Sequence, residues 1–469
     1  MSNTNKISSF IEQLSQGASN GASVYFLGIG GIGMSALARY FNSRGVKVSG
    51  YDKTETVLTR QLIAEGIDIH YEDNVNLIDR NAAFVVYTPA VPADHLEYNF
   101  LLNNGYSLLK RSEVLGMITK SSFNICVAGT HGKTTTSSMI AHILRHSEFG
   151  CNAFLGGIAS NYNTNFWSSS KNVCVAEADE YDRSFLRLSP DVAVITAIDP
   201  DHLDIYGTED KFREAFAEFS SKVKEGGLLI SKYGLDNSVV FQTGNKTTYS
   251  VDNSSAENYA TNITMKDGSY VFDVSIKGEV IEKVTLNMGG LHNVENSVAA
   301  ITVAKHVGLD NDKIKAAVSS FKGVKRRFEY VIKKEGIVMI DDYAHHPQEL
   351  NALISGAKKM FPEKKCTVVF QPHLYSRTRD FAAGFSEALS VADELYLLPI
   401  YPARELLIEG VNSNMIADQM TLKNVIVCSK EELLIKIQNE NKKGQIEMLI
   451  TAGAGDIDTL VDPLKNILN

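Results

Sequence analysis

Short apolar runs alternating with amphipathic segments predict an α/β protein with parallel sheets flanked by helices. Two further observations divide it into three domains. The strand–helix rhythm starts afresh near residue 116 and again after the stretch 321–330, and 469 residues are too many for one ordinary core. The expected domains are 1–115, 116–322 and 323–469. In the first, 24–30 reads as a strand entering a turn, 34–45 as a helix closed by Gly45, and 47–52 and 84–91 as further strands. In the second, 124–130, 172–179 and 191–199 read as strands and 134–147 as a helix. Residues 240–290 alternate polar and apolar side chains between Asn, Gly and Lys turns, which predicts a small antiparallel sheet before a helix at 291–308. In the third, 336–344, 365–372, 393–400 and 446–455 read as strands with helices between them.

The net charge of −9 argues against non-specific nucleic-acid binding, which runs on basic surface. Anionic small molecules stay open, because local Arg, Lys, Mg²⁺ and helix N-termini hold them. The N-terminal segment has no apolar signal region, and no uncharged apolar stretch is long enough to span a bilayer. Five scattered cysteines without a CxxC pair suggest buried free thiols in a reducing compartment. The expectation is a cytoplasmic protein.

Gly28, Gly30, Gly31 and Gly33 follow the first strand, and Asp52 ends the second. Such glycines let a backbone approach a diphosphate at a helix N-terminus, and the acid suits a ribose. NAD(P), a UDP-sugar and a purely structural turn all stay open on this motif. The run Gly129-Thr130-His131-Gly132-Lys133-Thr134-Thr135-Thr136 lies between a strand and a helix. Its backbone N–H groups would cradle phosphate, Lys133 would reach the β/γ-phosphates, and the Thr134 hydroxyl would ligate Mg²⁺. Strict phosphate-loop spacing asks for glycine where Val127 stands, so the loop is a shortened variant. Glu177-Ala-Asp179-Glu180-Tyr181-Asp182 ends the next strand, where carboxylates suit Mg²⁺, and His202 among Asp199, Asp201 and Asp204 is a further metal-ligand candidate. In the third domain, Asp341-Asp342-Tyr343-Ala-His345-His346 and Gln371-Pro372-His373-Leu374-Tyr375-Ser376-Arg377 suit carboxylate or phosphate recognition.

The strings GxGGxGMS, GTHGKTTT, EADEYD, DHLDIYG, LHNVxN, GVKRRFE, DDYAHHP and QPHLYSRTRD occur in the order found in Mur ligases, and the chain resembles that family over nearly its whole length. The resemblance implies a Rossmann-like UDP-sugar-binding domain, a central ATP-binding domain and a Rossmann-like amino-acid-binding domain. Within the family the set is similar to the members that join L-alanine to UDP-N-acetylmuramate. It implies ATP as donor, Mg²⁺ as cofactor and an acyl-phosphate route. Gly28, Gly30, Gly31, Gly33, Ser35 and Asp52 would then serve the UDP-sugar. Gly129 to Thr135, His292, Asn293, Asn296 and Arg327 would serve ATP, and Thr134, Glu177 and His202 the metal. His346, His373 and Arg377 would face L-alanine. Phe216 stands where several Mur ligases carry a modified lysine, and the alanine-adding class lacks that lysine. The relative that attaches a whole tripeptide to the same UDP-sugar is the alternative. Leu374 stands where many alanine-adding members have Arg, so that positive group is either missing or supplied elsewhere, with Arg379 and Arg404 as candidates.

Overall fold

The computed structural model describes residues 3–15, 21–200, 203–403 and 405–469. It is a mixed α/β fold of three domains, each built on one sheet. The chain divides into two compact units: Met1–Thr261 with Asp273–Val284 and Val294–Ser319, and Asn262–Phe272 with Thr285–Asn293 and Ser320–Asn469.

The first sheet orders its strands Asp68–His70, Lys47–Tyr51, Ser23–Leu27, Ala82–Tyr87 and Leu108–Lys110, all parallel. This is the doubly wound order, in which ligands bind beyond the carboxyl ends of the strands. Ser23–Leu27 is buried along its whole length, as a central parallel strand covered on both faces must be.

The central sheet runs Thr164–Trp167, Asn152–Ala159, Val173–Glu177, Phe123–Ala128, Val192–Ile195, Leu228–Lys232 and Lys246–Ser250. Residues 258–286, within the stretch expected to be antiparallel, add three strands to its edge: Asn258–Lys266, Ser269–Ile276 and Glu279–Leu286. Two-residue turns at Asp267-Gly268 and Lys277-Gly278 join them, with all four φ angles positive (49°, 67°, 48°, 87°). Such mirror-image turns match the twist of antiparallel strands.

The third sheet runs Glu329–Lys333, Val338–Asp342, Met448–Ala452, Cys366–Phe370, Glu394–Leu397 and Val425–Val427, parallel except for its first edge. All five cysteines are buried free thiols, and burial pushes Cys174, for one, up to about 11. No helix among the described residues is long and apolar enough to cross a membrane.

Two adjacent carboxylates end the strand Val338–Asp342. Asp341 accepts from Thr451 Oγ1 at 2.5 Å and lies 3.8 Å from Arg326 Nε. Asp342 accepts from the backbone N–H groups of Phe328 (2.6 Å) and Ala344 (2.7 Å). Burial outweighs these partners and pushes Asp341 up to about 7 and Asp342 to about 6. The unfolded chain releases such protons near the ordinary carboxylate value of about 4. The stability they contribute is therefore complete below about 4 and lost as pH rises through about 7. Hydrogen exchange of the Val338–Asp342 amides, corrected for intrinsic rate, is expected to show weaker protection at pH 8 than at pH 5.5. Asp341→Asn should remove much of that difference.

Candidate active site

The glycine turn and the phosphate loop both lie in the first compact unit. Gly28 takes φ +82°, and the N–H groups of Gly28 and Ile29 both bond Tyr51 O, at 2.8 and 3.0 Å. Asp52 closes the turn from the other side. Its Oδ2 accepts from Gly30 N at 2.7 Å, and a Cβ on Gly30 would press on that carboxylate. Asp52, the residue expected on a ribose, also fixes the shape of the turn. Ser35 is wholly buried, its hydroxyl donating to Ile32 O at 2.9 Å and accepting from Asn165 Nδ2 at 3.0 Å. A side chain on Gly33 would overlap Arg111, which places that guanidinium against the turn. Sequence reading passed over Arg111. Its signal was a Lys-Arg pair where the short strand Leu108–Lys110 meets the helix Arg111–Lys120.

The phosphate loop follows the strand Phe123–Ala128. Gly129 (φ +131°) and Gly132 (φ +82°) bend the chain so that the helix Lys133–His146 starts at Lys133. A Cβ on Gly129 would collide with Thr196 and Ala197, and one on Gly132 would come within 2.8 Å of Asn296 Oδ1. Asn296 thus lies beside the loop. The loop is pinned to the chain leaving Val192–Ile195: Thr130 N donates to Ala197 O at 3.1 Å, and Thr196 Oγ1 donates to His131 O. His131 and Asp199 are exposed, 3.9 Å apart. The first turn of the helix leaves backbone N–H groups without intrahelical acceptors, which favours an anion there.

Lys133 has a partner that sequence reading had not singled out. Its Nζ donates to Gly129 O at 2.7 Å and lies 2.7–2.8 Å from both carboxylate oxygens of Glu180. Glu180 is 1% exposed. Burial raises its carboxyl above the ordinary range, and the Lys133 ammonium opposes that rise. The turn that aims Glu180 inward contains two consecutive non-glycine residues at positive φ, Asp182 (50°) and Arg183 (59°). Tyr206 OH ties it down by donating to Glu180 O at 2.6 Å.

Glu177 pairs in register with Val127, one residue before the end of the loop strand. A Cβ on Gly156 would overlap the Glu177 carboxylate, so the neighbouring strand leaves it room. Thr134 is buried in the first helical turn. Among the described residues no three His, Cys, Asp or Glu form a metal cluster. A Mg²⁺ needs none, because it takes one or two protein oxygens and completes its shell with phosphate and water. His202 lies outside the described residues, as do Asp201 and Arg404.

The amino-acid-binding candidates lie in the second unit. His346 caps the helix Pro347–Met360, accepting from Gln348 N at 3.4 Å, and its ring meets Phe381 at 5.1 Å. His345, not His346, approaches His373 (ring centroids 6.2 Å), and His373 stacks on Tyr401 at 5.8 Å. Burial and the nearby Arg377 hold the His373 imidazole below its ordinary value. His373 Nδ1, Arg377 Nη1 and Gln371 Oε1 are buried without a hydrogen-bond partner among the described residues. Leu374 caps the helix Tyr375–Leu389 at φ +70°, a conformation costing a non-glycine residue about 1–3 kcal/mol. Arg379 pairs with Asp380 at the surface. Arg327 is exposed, while Arg326 is drawn onto Gly453 O and over the Tyr343 ring. His292 and Asn293 begin the helix Leu291–His306, and Asn293 Nδ2 donates to Gly289 O at 2.6 Å.

A glycine-shaped phosphate loop between a central parallel strand and a helix, with its lysine on a buried acid, defines a nucleotide-binding α/β enzyme. Family models described as the Mur ligase family catalytic domain, the Mur ligase middle domain and the Mur ligase glutamate ligase domain match residues 23–122, 127–304 and 326–455. The UDP-N-acetylmuramate–L-alanine ligase of Flavobacterium johnsoniae is 49% identical over 95% of this chain and 98% of the relative. The ligase of the same name from Cytophaga hutchinsonii is 48% identical over 94% and 96%. The crystal structure of a UDP-N-acetylmuramate–alanine ligase from Thermotoga maritima superposes with a TM-score of 0.79 at 28% identity, covering 95% of this chain and 98% of that one. The chain belongs to the Mur ligase family.

Lys133→Ala is expected to abolish turnover, by a factor of about 10² or more, while leaving the circular-dichroism spectrum unchanged. Near-normal ADP formation by that folded variant would overturn the role of the loop. Glu180→Gln withdraws a charge-assisted partner worth about 1.5–3 kcal/mol, so kcat/KM for ATP should fall about tenfold or more. An unchanged kcat/KM would make the pair a resting contact only.

Proposed function

We propose that this enzyme uses ATP to join L-alanine to the lactyl carboxylate of UDP-N-acetylmuramate, giving ADP and phosphate. The observation that carries this reading is the match, along nearly the whole chain, to relatives that bear that activity in their names. The geometry of the phosphate loop supports it. The domains are those read from the sequence, 1–115 for the UDP-sugar, 116–322 for ATP and 323–469 for the amino acid.

The chemistry asks two anions to meet, because a carboxylate must attack the γ-phosphate. Their repulsion has to be offset by fixed positive charge and backbone dipoles. Gly129, Thr130, His131, Gly132 and Thr135 shape or line the loop whose N–H groups take the phosphates. Lys133, held in place by Glu180 and Gly129 O, presents its ammonium to the β/γ-phosphates. Thr134 and Glu177 would supply hard oxygen donors for one Mg²⁺ and His202 a nitrogen donor for a second, which when bound would neutralise phosphate charge. His292, Asn293, Asn296 and Arg327 contact the rest of the nucleotide. Gly28, Gly30, Gly31 and Gly33 take the diphosphate of the UDP-sugar, with Arg111 as a cation beside them. The attack transfers the γ-phosphoryl group to the carboxylate and releases ADP. The amine of L-alanine then adds to the acyl phosphate, and phosphate leaves. His373 and Arg377 face the amino acid, with Arg377 Nη1 offered to its carboxylate. His346 holds the helix start beside them.

The second reading replaces L-alanine with a tripeptide. A coupled ADP assay separates the two. ADP should appear only when UDP-N-acetylmuramate and L-alanine are both present, with the tripeptide inactive. ADP release with the tripeptide and none with alanine would reverse the assignment.

A further inference from the structure

Asn165 lies on the strand Thr164–Trp167 of the central sheet and is fully buried. Its side chain makes every bond across to the helix Ile32–Ser43, which begins inside the glycine turn of the first domain. Nδ2 donates to Ile32 O at 2.5 Å and to Ser35 Oγ at 3.0 Å. Oδ1 accepts from Arg39 Nη1 at 2.5 Å. Arg39 is in turn locked, with Nε and Nη2 on the Glu65 carboxylate at 2.7–3.0 Å. Around this amide, Tyr40 packs on Phe154 (5.5 Å) and Phe166 (6.3 Å) of the same hairpin. The other strand of that hairpin, Asn152–Ala159, carries Gly156 against Glu177 at the phosphate-loop edge. A chain of direct contacts therefore runs from the glycine turn to the site of phosphate chemistry. Apolar packing alone would let the helix slide along its axis. An amide that bonds a main-chain carbonyl, a hydroxyl and a guanidinium in three directions does not.

We propose that Asn165 is a positioning residue that fixes the register between the UDP-sugar turn and the phosphate loop, so that the first and central domains act as one body. The proposal rests on the ligase reading, in which a carboxylate carried by one site must reach the γ-phosphate held by the other. A misplacement of about 1 Å in such a near-attack arrangement costs about 10²-fold. Asn165 is buried with its amide committed to the helix Ile32–Ser43, so on this proposal it contacts neither substrate. Its loss should therefore appear in the chemical step and not in either affinity.

The test is steady-state kinetics on the full chain with UDP-N-acetylmuramate, ATP and L-alanine, alongside calorimetric titration of ADP and of UDP-N-acetylmuramate. Asn165→Ala is expected to lower kcat about tenfold to a hundredfold while both dissociation constants stay within about threefold. Asn165→Asp keeps the volume and the acceptor for Arg39 but withdraws both N–H groups, and it should show the same split. A kcat equal to that of the unmodified chain would overturn the proposal, and so would a loss that merely follows a weakened affinity. A measurement on the unmodified chain does not depend on either variant folding. Hydrogen exchange of 35–40 and of 164–167 should respond together when UDP-N-acetylmuramate binds, and independent responses would sink the one-body claim. If the unmodified chain itself makes no ADP with these substrates, the ligase reading fails, which is a different result from a silent substitution.

Discussion

A lysine ammonium held almost out of water against a fully buried carboxylate is the interaction around which the catalytic edge is built. Neither charge could occupy its place alone, because an isolated buried ion costs several kcal/mol. Lys133 and Glu180 solve this for each other at 2.7–2.8 Å. The surrounding geometry serves the pair. Gly129 must take φ +131° to offer its carbonyl to Lys133, and the acid-bearing turn must pass through positive φ at both Asp182 and Arg183. Tyr206 bonds the Glu180 carbonyl and holds that turn in place. Such a pair suits a site that must hold a cation ready for phosphates. Glu180 and the Gly129 carbonyl together hold the ammonium at the loop, where incoming phosphates meet it.

Parallel strands add a second constraint. Because Phe123–Ala128, Val173–Glu177 and Val192–Ile195 run the same way, everything that follows each of them emerges on one edge. The loop, Glu177 and Asp199 therefore lie on one edge although they are spread from residue 129 to residue 199 of the sequence. The hairpin of Asn152–Ala159 and Thr164–Trp167 on the far side of the sheet does something different. It brings Asn165 to the first domain and Gly156 to Glu177, and so joins two ligand edges through a single antiparallel pair.

How much of this could be read in advance depended on what each residue is asked to do. Strands buried on both faces, such as Ser23–Leu27 and Phe123–Ala128, need continuous apolar runs, and those were visible. The phosphate loop needs small residues and a lysine at fixed spacing, and that too was visible. Asp68–His70, Leu108–Lys110 and Val425–Val427 are three-residue edge strands, too short to show any period. The choice between adjacent residues was the least legible. EADEYD names two glutamates, and only the backbone of the turn decides that Glu180 takes the lysine while Glu177 faces Gly156. In the same way Arg326, not Arg327, is drawn into the fold, and His345, not His346, reaches His373. Asp52 and Ser35 are expected as ligand contacts, and in the structure each also shapes the turn, Asp52 Oδ2 accepting from Gly30 and the Ser35 hydroxyl bonding Ile32 and Asn165. A polar residue that shapes a binding loop and one that touches the ligand leave the same mark in a sequence.

The second unit shows the converse case, in which polarity is left unspent. Gln371 Oε1, His373 Nδ1 and Arg377 Nη1 are all buried and unpartnered among the described residues, within seven positions of one another after the strand Cys366–Phe370. A folded chain ordinarily satisfies such atoms, since each costs about 1–3 kcal/mol when left open. Leu374, in the middle of the run, adds backbone strain at φ +70°. Three open polar atoms and a strained residue on one short stretch are a cost that packing alone does not explain. An amino acid would repay it, with a carboxylate for the guanidinium and an amine for the acceptor oxygen. The leucine that seemed to remove a charge from this pocket thus sits where the backbone, not its side chain, sets the direction of His373 and Arg377 on either side of it.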